Sequence, residues 1–149
     1  MKTADELVRE LVDREAIRDL PIRYSDFLFR DDVEGLVSLF TENGSFVVRD
    51  PENEVATHGR ARLRKMFQQL LGDVFPKPFI HTHVVELGSE SSATGRCYVE
   101  LRSAKVDMDR IGSGYYEDDY VKVGGVWKFA TRRLIESGMA TSLRTFMVR

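Results

Sequence analysis

The chain has 149 residues, of which 42% are hydrophobic and 31% charged, and its formal net charge is -2. These values are typical of one globular domain with a single core, and the charge balance excludes a general attraction to nucleic acid or to a membrane surface. A single cysteine, Cys97, excludes an internal disulfide framework, and the absence of an apolar leader or a spanning segment predicts a cytoplasmic protein.

The first thirty residues have the apolar spacing of helices. Large apolar residues recur at intervals of three and four between Ala4 and Phe29, and this pattern predicts two helices in succession. Asp13 is a suitable cap for the second helix, and Pro21 should bend it because proline has no amide donor. Asp31 or Asp32 should cap a further short helix.

The middle of the chain mixes polar loops with one strand and one helix. Gly44 should end the short helix, since glycine adopts the left-handed conformation of a C-cap. Residues 45–49 are typical of a strand, residues 50–56 of a polar loop, and residues 59–71 of an amphipathic helix that ends at Gly72. Two prolines in residues 73–78 predict another loop.

Three or four strands complete the chain, over residues 79–87, 93–103, 114–123 and 126–136. Gly124 and Gly125 separate the last two and suit the positive φ angles of a tight hairpin turn. Within the second strand Cys97, Val99 and Leu101 alternate with polar or aromatic residues, so one of its faces is apolar. Helices followed by a run of long strands indicate an α+β fold with a mostly antiparallel sheet.

Three motifs, in this order, resemble those of the SnoaL-like family. They are DREAIRDLxxRY from residue 13, DxxxLxxLFTxNG from residue 32, and the hairpin GxYxDxY with GxWKF and RR from residue 114. The family shares the cone-shaped fold of nuclear transport factor two, scytalone dehydratase and hexachlorocyclohexane dehydrochlorinase. The resemblance implies N-terminal helices packed on a strongly curved, mostly antiparallel sheet. It also implies one domain, with a core over about residues 7–136 and a tail over residues 137–149.

The resemblance also implies an activity. Lyases of this family remove a proton from carbon with a His–Asp pair and use neither a metal nor an organic cofactor. Alignment places the aspartate position at Phe29, which cannot orient a base. The histidine position falls on Pro78 without gaps and on His81 with a three-residue shift. The pocket positions implied by the family are Tyr24, Leu28, Phe29, Cys97, Val99, Leu101, Tyr116 and Arg132.

His81 and His83 are the candidate bases. They are two residues apart, so on a regular strand both side chains point to one face. We expect His81 to be the base, with the alternative that both histidines lie on the outer face or at a subunit contact. A metal site needs a third ligand that the spacing does not provide, so neither a metal nor a cofactor is expected.

Three further side chains are expected to assist. Asp26 lies one helical turn before the family's aspartate position and could support the base, or it pairs at the surface with an arginine such as Arg23 or Arg30. Tyr24 and Arg132 would polarise the substrate. The arginine suits either an anionic or a carbonyl group of a ligand, or an ion pair across the hairpin with Asp118 or Asp119.

The sequence supports three hypotheses for function. The first is a cofactor-independent lyase or isomerase that resembles scytalone dehydratase and acts on a small hydrophobic or aromatic, oxygenated substrate. The second is a non-catalytic module that binds a small hydrophobic molecule, which Phe29 favours. The third is an accessory subunit like the β subunit of ring-hydroxylating dioxygenases. The expected assembly is a homodimer or homotrimer formed through the outer sheet face.

Overall fold

The computed structural model describes residues 1–74 and 76–147. Its helices are α1 (Ala4–Phe29), α2 (Val33–Ser38), α3 (Arg60–Asp73) and α4 (Arg144–Met147). Its strands are β1 (Phe40–Arg49), β2 (Glu54–His58), β3 (Pro76–Leu87), β4 (Ser92–Ser103), β5 (Asp109–Val123) and β6 (Val126–Met139). The strands form one curved sheet in the order β2-β1-β6-β5-β4-β3. Among the strand pairs of the described residues, only β1–β6 is parallel, which confirms the predicted α+β fold with a mostly antiparallel sheet.

Helix α1 is continuous, so the prediction of two helices was wrong. It begins with a capping box in which the Thr3 side chain accepts a hydrogen bond from the Glu6 amide at 3.2 Å. Pro21 lies inside the helix at a buried position. Asp13 caps nothing, because its buried carboxylate accepts hydrogen bonds from Trp127 Nε1 at 2.8 Å and Lys122 Nζ at 3.0 Å. This contact ties the N-terminal helix to the β5–β6 hairpin.

The segment after α1 follows the prediction in part. Asp32 caps α2, since its side chain accepts a hydrogen bond from the Gly35 amide at 2.8 Å. The helix is shorter than predicted, and Gly44 lies within β1 instead of ending a helix. Strand β2 occupies part of the predicted polar loop because it pairs with β1 from Ser45 to Arg49.

Strand β3 extends into the segment that was predicted as a loop. Pro76 and Pro78 both lie in this strand, which is at the edge of the sheet and pairs with β4 alone. An edge strand tolerates proline because one side of its backbone has no ladder partner. The β5–β6 turn confirms its prediction, with φ angles of +57° at Gly124 and +80° at Gly125.

The core fills the concave face of the sheet beneath the helices. Tyr24 on α1 packs against the rings of Phe46, Phe67, Tyr116 and Phe129, with centroid separations from 5.8 to 6.4 Å. The alternation predicted for β4 is confirmed, because its apolar set is buried while the intervening side chains are exposed or half-buried. The interior is therefore rich in aromatic rings, and these surround the polar groups described below.

We expect Asp13→Ala to destabilise the protein by about 1–3 kcal/mol, because Trp127 and Lys122 lose a buried acceptor. Asp19→Ala removes an aspartate from the same helix whose side chain pairs with Arg23 at the surface. It should change the free energy of unfolding by less than about 0.5 kcal/mol. Urea unfolding of both variants measures the difference. Equal effects would show that the contact to the hairpin does not stabilise the fold.

Candidate functional site

A row of four polar side chains crosses the interior from β3 to β6, and we call it the interior polar chain. His83 Nε2 lies 3.0 Å from the Tyr120 hydroxyl, which donates a hydrogen bond to Asp118 Oδ2 at 3.0 Å. The other carboxylate oxygen, Asp118 Oδ1, lies 3.5 Å from Arg132 Nε. The interior polar chain therefore connects the imidazole of His83 to the guanidinium of Arg132 through a phenol and a carboxylate.

A β-bulge on β6 brings Arg132 into the interior. Tyr120 pairs with Phe129, and Asp118 pairs with Arg132. Between these two pairs β5 advances by two residues and β6 by three, so β6 contains one additional residue. Without the extra residue, the alternation of the strand would turn either Phe129 or Arg132 outward. The bulge therefore places the arginine directly opposite the aspartate with which it forms an ion pair.

A second bulge separates the two histidines of β3. Ile80 pairs with Val99 and Thr82 with Tyr98, so His81 is the additional residue. His83 pairs with the buried Cys97 and shares its inner face. The side chain of His81 is 60% exposed and lies 3.7 Å from Glu100. The expectation that both histidines share a face was wrong, because the bulge breaks the two-residue period.

Gly95 makes room for the phenol of the interior polar chain. A Cβ atom at this position would lie 2.7 Å from the Val84 carbonyl oxygen and 3.0 Å from both the ring and the hydroxyl of Tyr120. Both contacts are shorter than side chains normally make. The absence of a side chain at residue 95 thus allows Tyr120 to reach between His83 and Asp118.

Arg132 is completely buried and stacked among aromatic rings. Its guanidinium carbon lies 3.6 Å from the ring centroid of Tyr116, 4.3 Å from that of Tyr24 and 4.7 Å from that of Phe129. Among the described residues, none of its three nitrogens has a hydrogen-bond partner, and neither does Asp118 Oδ1. Buried donors without partners are costly, so this arrangement favours a ligand that offers an acceptor.

The protonation states follow from burial and the neighbouring charges. Burial lowers the pKa of His83 to about 4, with further lowering by the charges of Arg132 and Arg18. Burial raises the pKa of Asp118 to about 6, against the opposing effect of Arg132. At pH 7 the imidazole is therefore neutral and the carboxylate is mostly ionised. Because Tyr120 donates its single proton to Asp118, we assign the His83 proton to Nε2, which leaves Nδ1 as the basic nitrogen.

The surrounding groups keep their protons at neutral pH. Burial raises the pKa of Tyr24 well above its ordinary value, that of Tyr116 to about 12 and that of the Cys97 thiol to about 11. Burial opposes the charge on Arg132, yet Asp118 holds the pKa of this guanidinium above its ordinary value. The two tyrosines and the cysteine beside the Arg132–Asp118 ion pair are therefore neutral at pH 7.

The structure places most of the predicted pocket residues on the inner face but not the predicted acid–base pair. The side chain of Asp26 is exposed and forms an ion pair with Arg30 at 3.3 Å. Phe29 is 41% exposed and packs against Phe79, with ring centroids 5.4 Å apart. His81 is outside, as described above. The predicted residues that are buried in the core or facing it are Tyr24, Leu28, Cys97, Val99, Leu101, Tyr116 and Arg132.

An ion pair of an arginine with Asp118 across the hairpin was one predicted alternative and is confirmed, but sequence reasoning did not place Asp118 and Tyr120 beside His83. One signal was available for the first two, because residues two apart on a strand share a face and Tyr116 was already placed on that face. No group of three histidine, cysteine or carboxylate side chains within residues 1–74 and 76–147 could hold a metal ion. Over the same part of the chain, no helix is both long and apolar enough to span a bilayer.

The chain belongs to the SnoaL-like domain family, whose model matches residues 9–133. The match includes Asp118, Tyr120 and Arg132. The predicted family is thereby confirmed, and so is the cone-shaped fold shared with nuclear transport factor two. The comparison with curated proteins gave no match.

Solved structures show the same fold. A candidate scytalone dehydratase from Novosphingobium aromaticivorans is 27% identical, with a TM-score of 0.74 over 88% of each chain. A variant of Rv3472, a Mycobacterium tuberculosis protein of unknown function, is 26% identical, with a TM-score of 0.78 over 88% of this chain and 75% of that one. An NTF2-like protein with a cystatin-like fold, also from N. aromaticivorans, is 22% identical, with a TM-score of 0.79 over 98% of this chain and 97% of that one.

Gly95→Ala should destabilise the protein by about 1–3 kcal/mol and break the contact between His83 and Tyr120, because the new methyl group meets the phenol. Gly72→Ala is the control. This residue lies in α3 and has no atom within 4 Å of an added Cβ, so alanine should be neutral or stabilising there. Chemical unfolding and the imidazole NMR signals of both variants measure the effect. Equal stability of the two variants would contradict the tight packing described.

His83→Gln should alter how stability depends on pH. Because folding lowers the pKa of His83 to about 4, the unfolded chain binds more protons between pH 4 and the ordinary value of 6.5. The stability linked to His83 is therefore complete above pH 6.5 and is lost as the pH falls toward 4. Asp118 has the opposite effect between pH 3.8 and about 6. Because folding raises its pKa, the stability linked to Asp118 falls as the pH rises through this range.

Removal of the imidazole leaves the contribution of the carboxylate. The stability of His83→Gln relative to wild type should therefore increase as the pH is lowered from 7 to 5. Urea unfolding at the two pH values measures this, with His81→Gln as the matched exposed control. Identical pH dependence in the two variants would rule out the half-buried position on the inner face assigned to His83.

Proposed function

We propose that the protein is a cofactor-independent lyase or isomerase that acts on a small hydrophobic or aromatic, oxygenated substrate. The observation that carries this proposal is the buried guanidinium of Arg132, whose donors have no partner, at one end of a chain that leads to a neutral imidazole. Donors held in an apolar interior stabilise negative charge that develops on a bound oxygen atom. A neutral imidazole accepts a proton.

The proposed reaction assigns one step to each end of the interior polar chain. Arg132 donates hydrogen bonds to a substrate oxygen, and His83 Nδ1 accepts a proton from the carbon next to the oxygen-bearing carbon. The electron pair of the broken C–H bond forms a carbon–carbon double bond, and the oxygen gains negative charge. In a lyase this intermediate then expels a leaving group, whereas in an isomerase a second carbon takes the proton back from His83.

Tyr120 and Asp118 would position the base and stabilise it once it is protonated. The phenol oxygen accepts the hydrogen bond from Nε2, which fixes the orientation of the ring and leaves Nδ1 as the nitrogen that accepts a proton. Asp118 in turn accepts the phenol proton at 3.0 Å, so the growing positive charge on the imidazole is coupled to a carboxylate. The candidate scytalone dehydratase among the similar structures supports this class of reaction.

A non-catalytic binding module is the second candidate, and the weak basicity of His83 favours it. A general base is most effective when its pKa is near the working pH, whereas burial lowers the pKa of this imidazole to about 4. The accessory-subunit hypothesis and the homodimer or homotrimer stay predictions. An outer sheet face that exposes Val84 and Tyr98 supports an assembly of copies.

The test is the exchange of carbon-bound protons with solvent. A panel of small aromatic ketones and hydroxyketones is incubated with the protein in D₂O, and NMR follows the loss of the signal from the carbon next to the carbonyl group. Wild type should accelerate the exchange, and His83→Gln should lower the rate by at least about 100-fold because it removes the base. His81→Gln, the histidine on the exposed face, should leave the rate unchanged.

Three results would contradict the enzymatic proposal. Loss of exchange in His81→Gln alone would place the base on the outer face. Exchange that persists in His83→Gln would exclude this imidazole as the base. Binding of the ketones, detected by chemical-shift changes in the aromatic core, without any exchange would support the binding module instead.

A further inference from the structure

The side of α1 that faces away from the sheet carries several exposed apolar residues. The exposed fraction lies between 49% and 66% for Leu7, Val8, Leu11, Val12 and Ile22. The residues that the helix buries form a different face, and a helix of a globular protein normally has charged or polar residues on the outer side. An apolar stripe in that position is typical of an interaction surface.

The stripe has the spacing of one helix of a coiled coil. Alternating intervals of three and four residues separate Val8, Leu11, Glu15, Arg18 and Ile22, and all five side chains are exposed. We call these five residues the outer seam. A helix with this repeat presents the members of its seam to a neighbouring helix along one line. The outer seam therefore has the geometry of a helix–helix contact.

The two charges at the centre of the outer seam have no ion-pair partner. Among the described residues, Glu15 and Arg18 form neither an ion pair nor a side-chain hydrogen bond. Asp19 and Asp26 on the same helix, in contrast, each pair with an arginine one turn later. Two opposite charges, three residues apart, are thus free to pair with a surface on which the charges run in the reverse order.

A second copy of α1 that runs antiparallel provides this reverse order. When Glu15 lies opposite Arg18 of the second copy, two-fold symmetry also places Arg18 opposite Glu15 of that copy. The same register places Leu11 opposite Ile22 on either side of the charged layers. Each of these layers therefore joins either two opposite charges or two apolar side chains. A parallel arrangement would instead place like charges opposite each other.

We propose that the outer seam is an interface with a second copy of this chain, in which the two α1 helices lie antiparallel. A membrane surface is a poorer partner, because α1 has more acidic than basic residues and anionic lipids attract basic faces. One helix pair buries less than the roughly 1,600 Å² of a standard interface, so the contact is weak, with a dissociation constant above about 1 μM. The inference does not depend on the proposed function, since the outer seam is separate from the interior polar chain.

Sedimentation equilibrium of the full chain, from about 5 to about 500 μM, tests the contact. Glu15→Arg and Arg18→Glu should each raise the dissociation constant at least about tenfold, because like charges then meet at the centre of the interface. At the highest concentration wild type should have about twice the mass of either variant. An equimolar mixture of the two variants should recover the wild-type mass, because each copy then carries the charges that complement the other.

Glu52→Arg is the matched control. It makes the same substitution at an exposed residue between β1 and β2, and it should leave the mass of the assembly unchanged. An equal loss of mass in Glu52→Arg would overturn the proposal, as would a mixture of the two seam variants that does not recover. A wild-type mass no greater than that of Glu15→Arg would also overturn it, and binding of that protein to anionic vesicles would assign the stripe to a membrane instead.

Cysteine cross-linking tests the antiparallel register. Copies with Leu11→Cys and copies with Ile22→Cys are mixed and oxidised, and the native Cys97 does not compete because it is completely buried. The mixture should form a disulfide between unlike copies, because these two positions face each other. Leu11→Cys alone should not cross-link, since its two cysteines would be separated by roughly 16 Å along the helices. Equal cross-linking in the mixture and in Leu11→Cys alone would contradict the register.

Discussion

The buried ion pair between Arg132 and Asp118 is the interaction on which the interior depends. A guanidinium that is stacked on Tyr116 at 3.6 Å cannot remain charged there unless its charge is compensated, and the carboxylate provides that compensation. The carboxylate in turn accepts the phenol proton of Tyr120, which orients that phenol toward His83. The charge of Arg132 on β6 thus requires an ionised Asp118, and Asp118 in turn orients Tyr120 toward His83.

Two bulges decide which side chains take part in this arrangement. The extra residue on β3 moves His81 outward and leaves His83 inside, and the extra residue on β6 allows both Phe129 and Arg132 to point inward. A bulge reverses the face of the sheet to which every later side chain of that strand points, because side chains alternate between the two faces. One bulge lies in β3, which carries His83, and the other lies in β6, which carries Arg132. The two bulges therefore determine the position of both ends of the interior polar chain.

The fold could be predicted from the sequence far better than the site. The four late strands, the Gly124–Gly125 turn and the apolar face of β4 depend on local patterns, and these patterns are present in the sequence. Asp13 shows where local reasoning ends. An aspartate that caps a helix and one that binds a hydrogen-bond donor look alike in sequence, and the donor here, Trp127, is 114 residues away. Which of His81 and His83 points inward likewise depends on how β3 pairs with β4. The periodicity of the β3 sequence alone does not reveal this pairing.

The position of the proposed acid–base groups differs from the one that the family resemblance implied, and the end of α1 shows what occupies the implied position instead. At the end of α1, where Phe29 occupies the aspartate position, a buried lysine already makes polar contacts. Lys77 Nζ donates hydrogen bonds to the Leu28 carbonyl oxygen at 2.6 Å and to Asp31 Oδ1 at 2.8 Å. That corner of the fold therefore already holds a buried cation together with its acceptors. The carboxylate and the imidazole instead lie together further along the sheet. Strands hold them there more rigidly than a helix end next to a loop would.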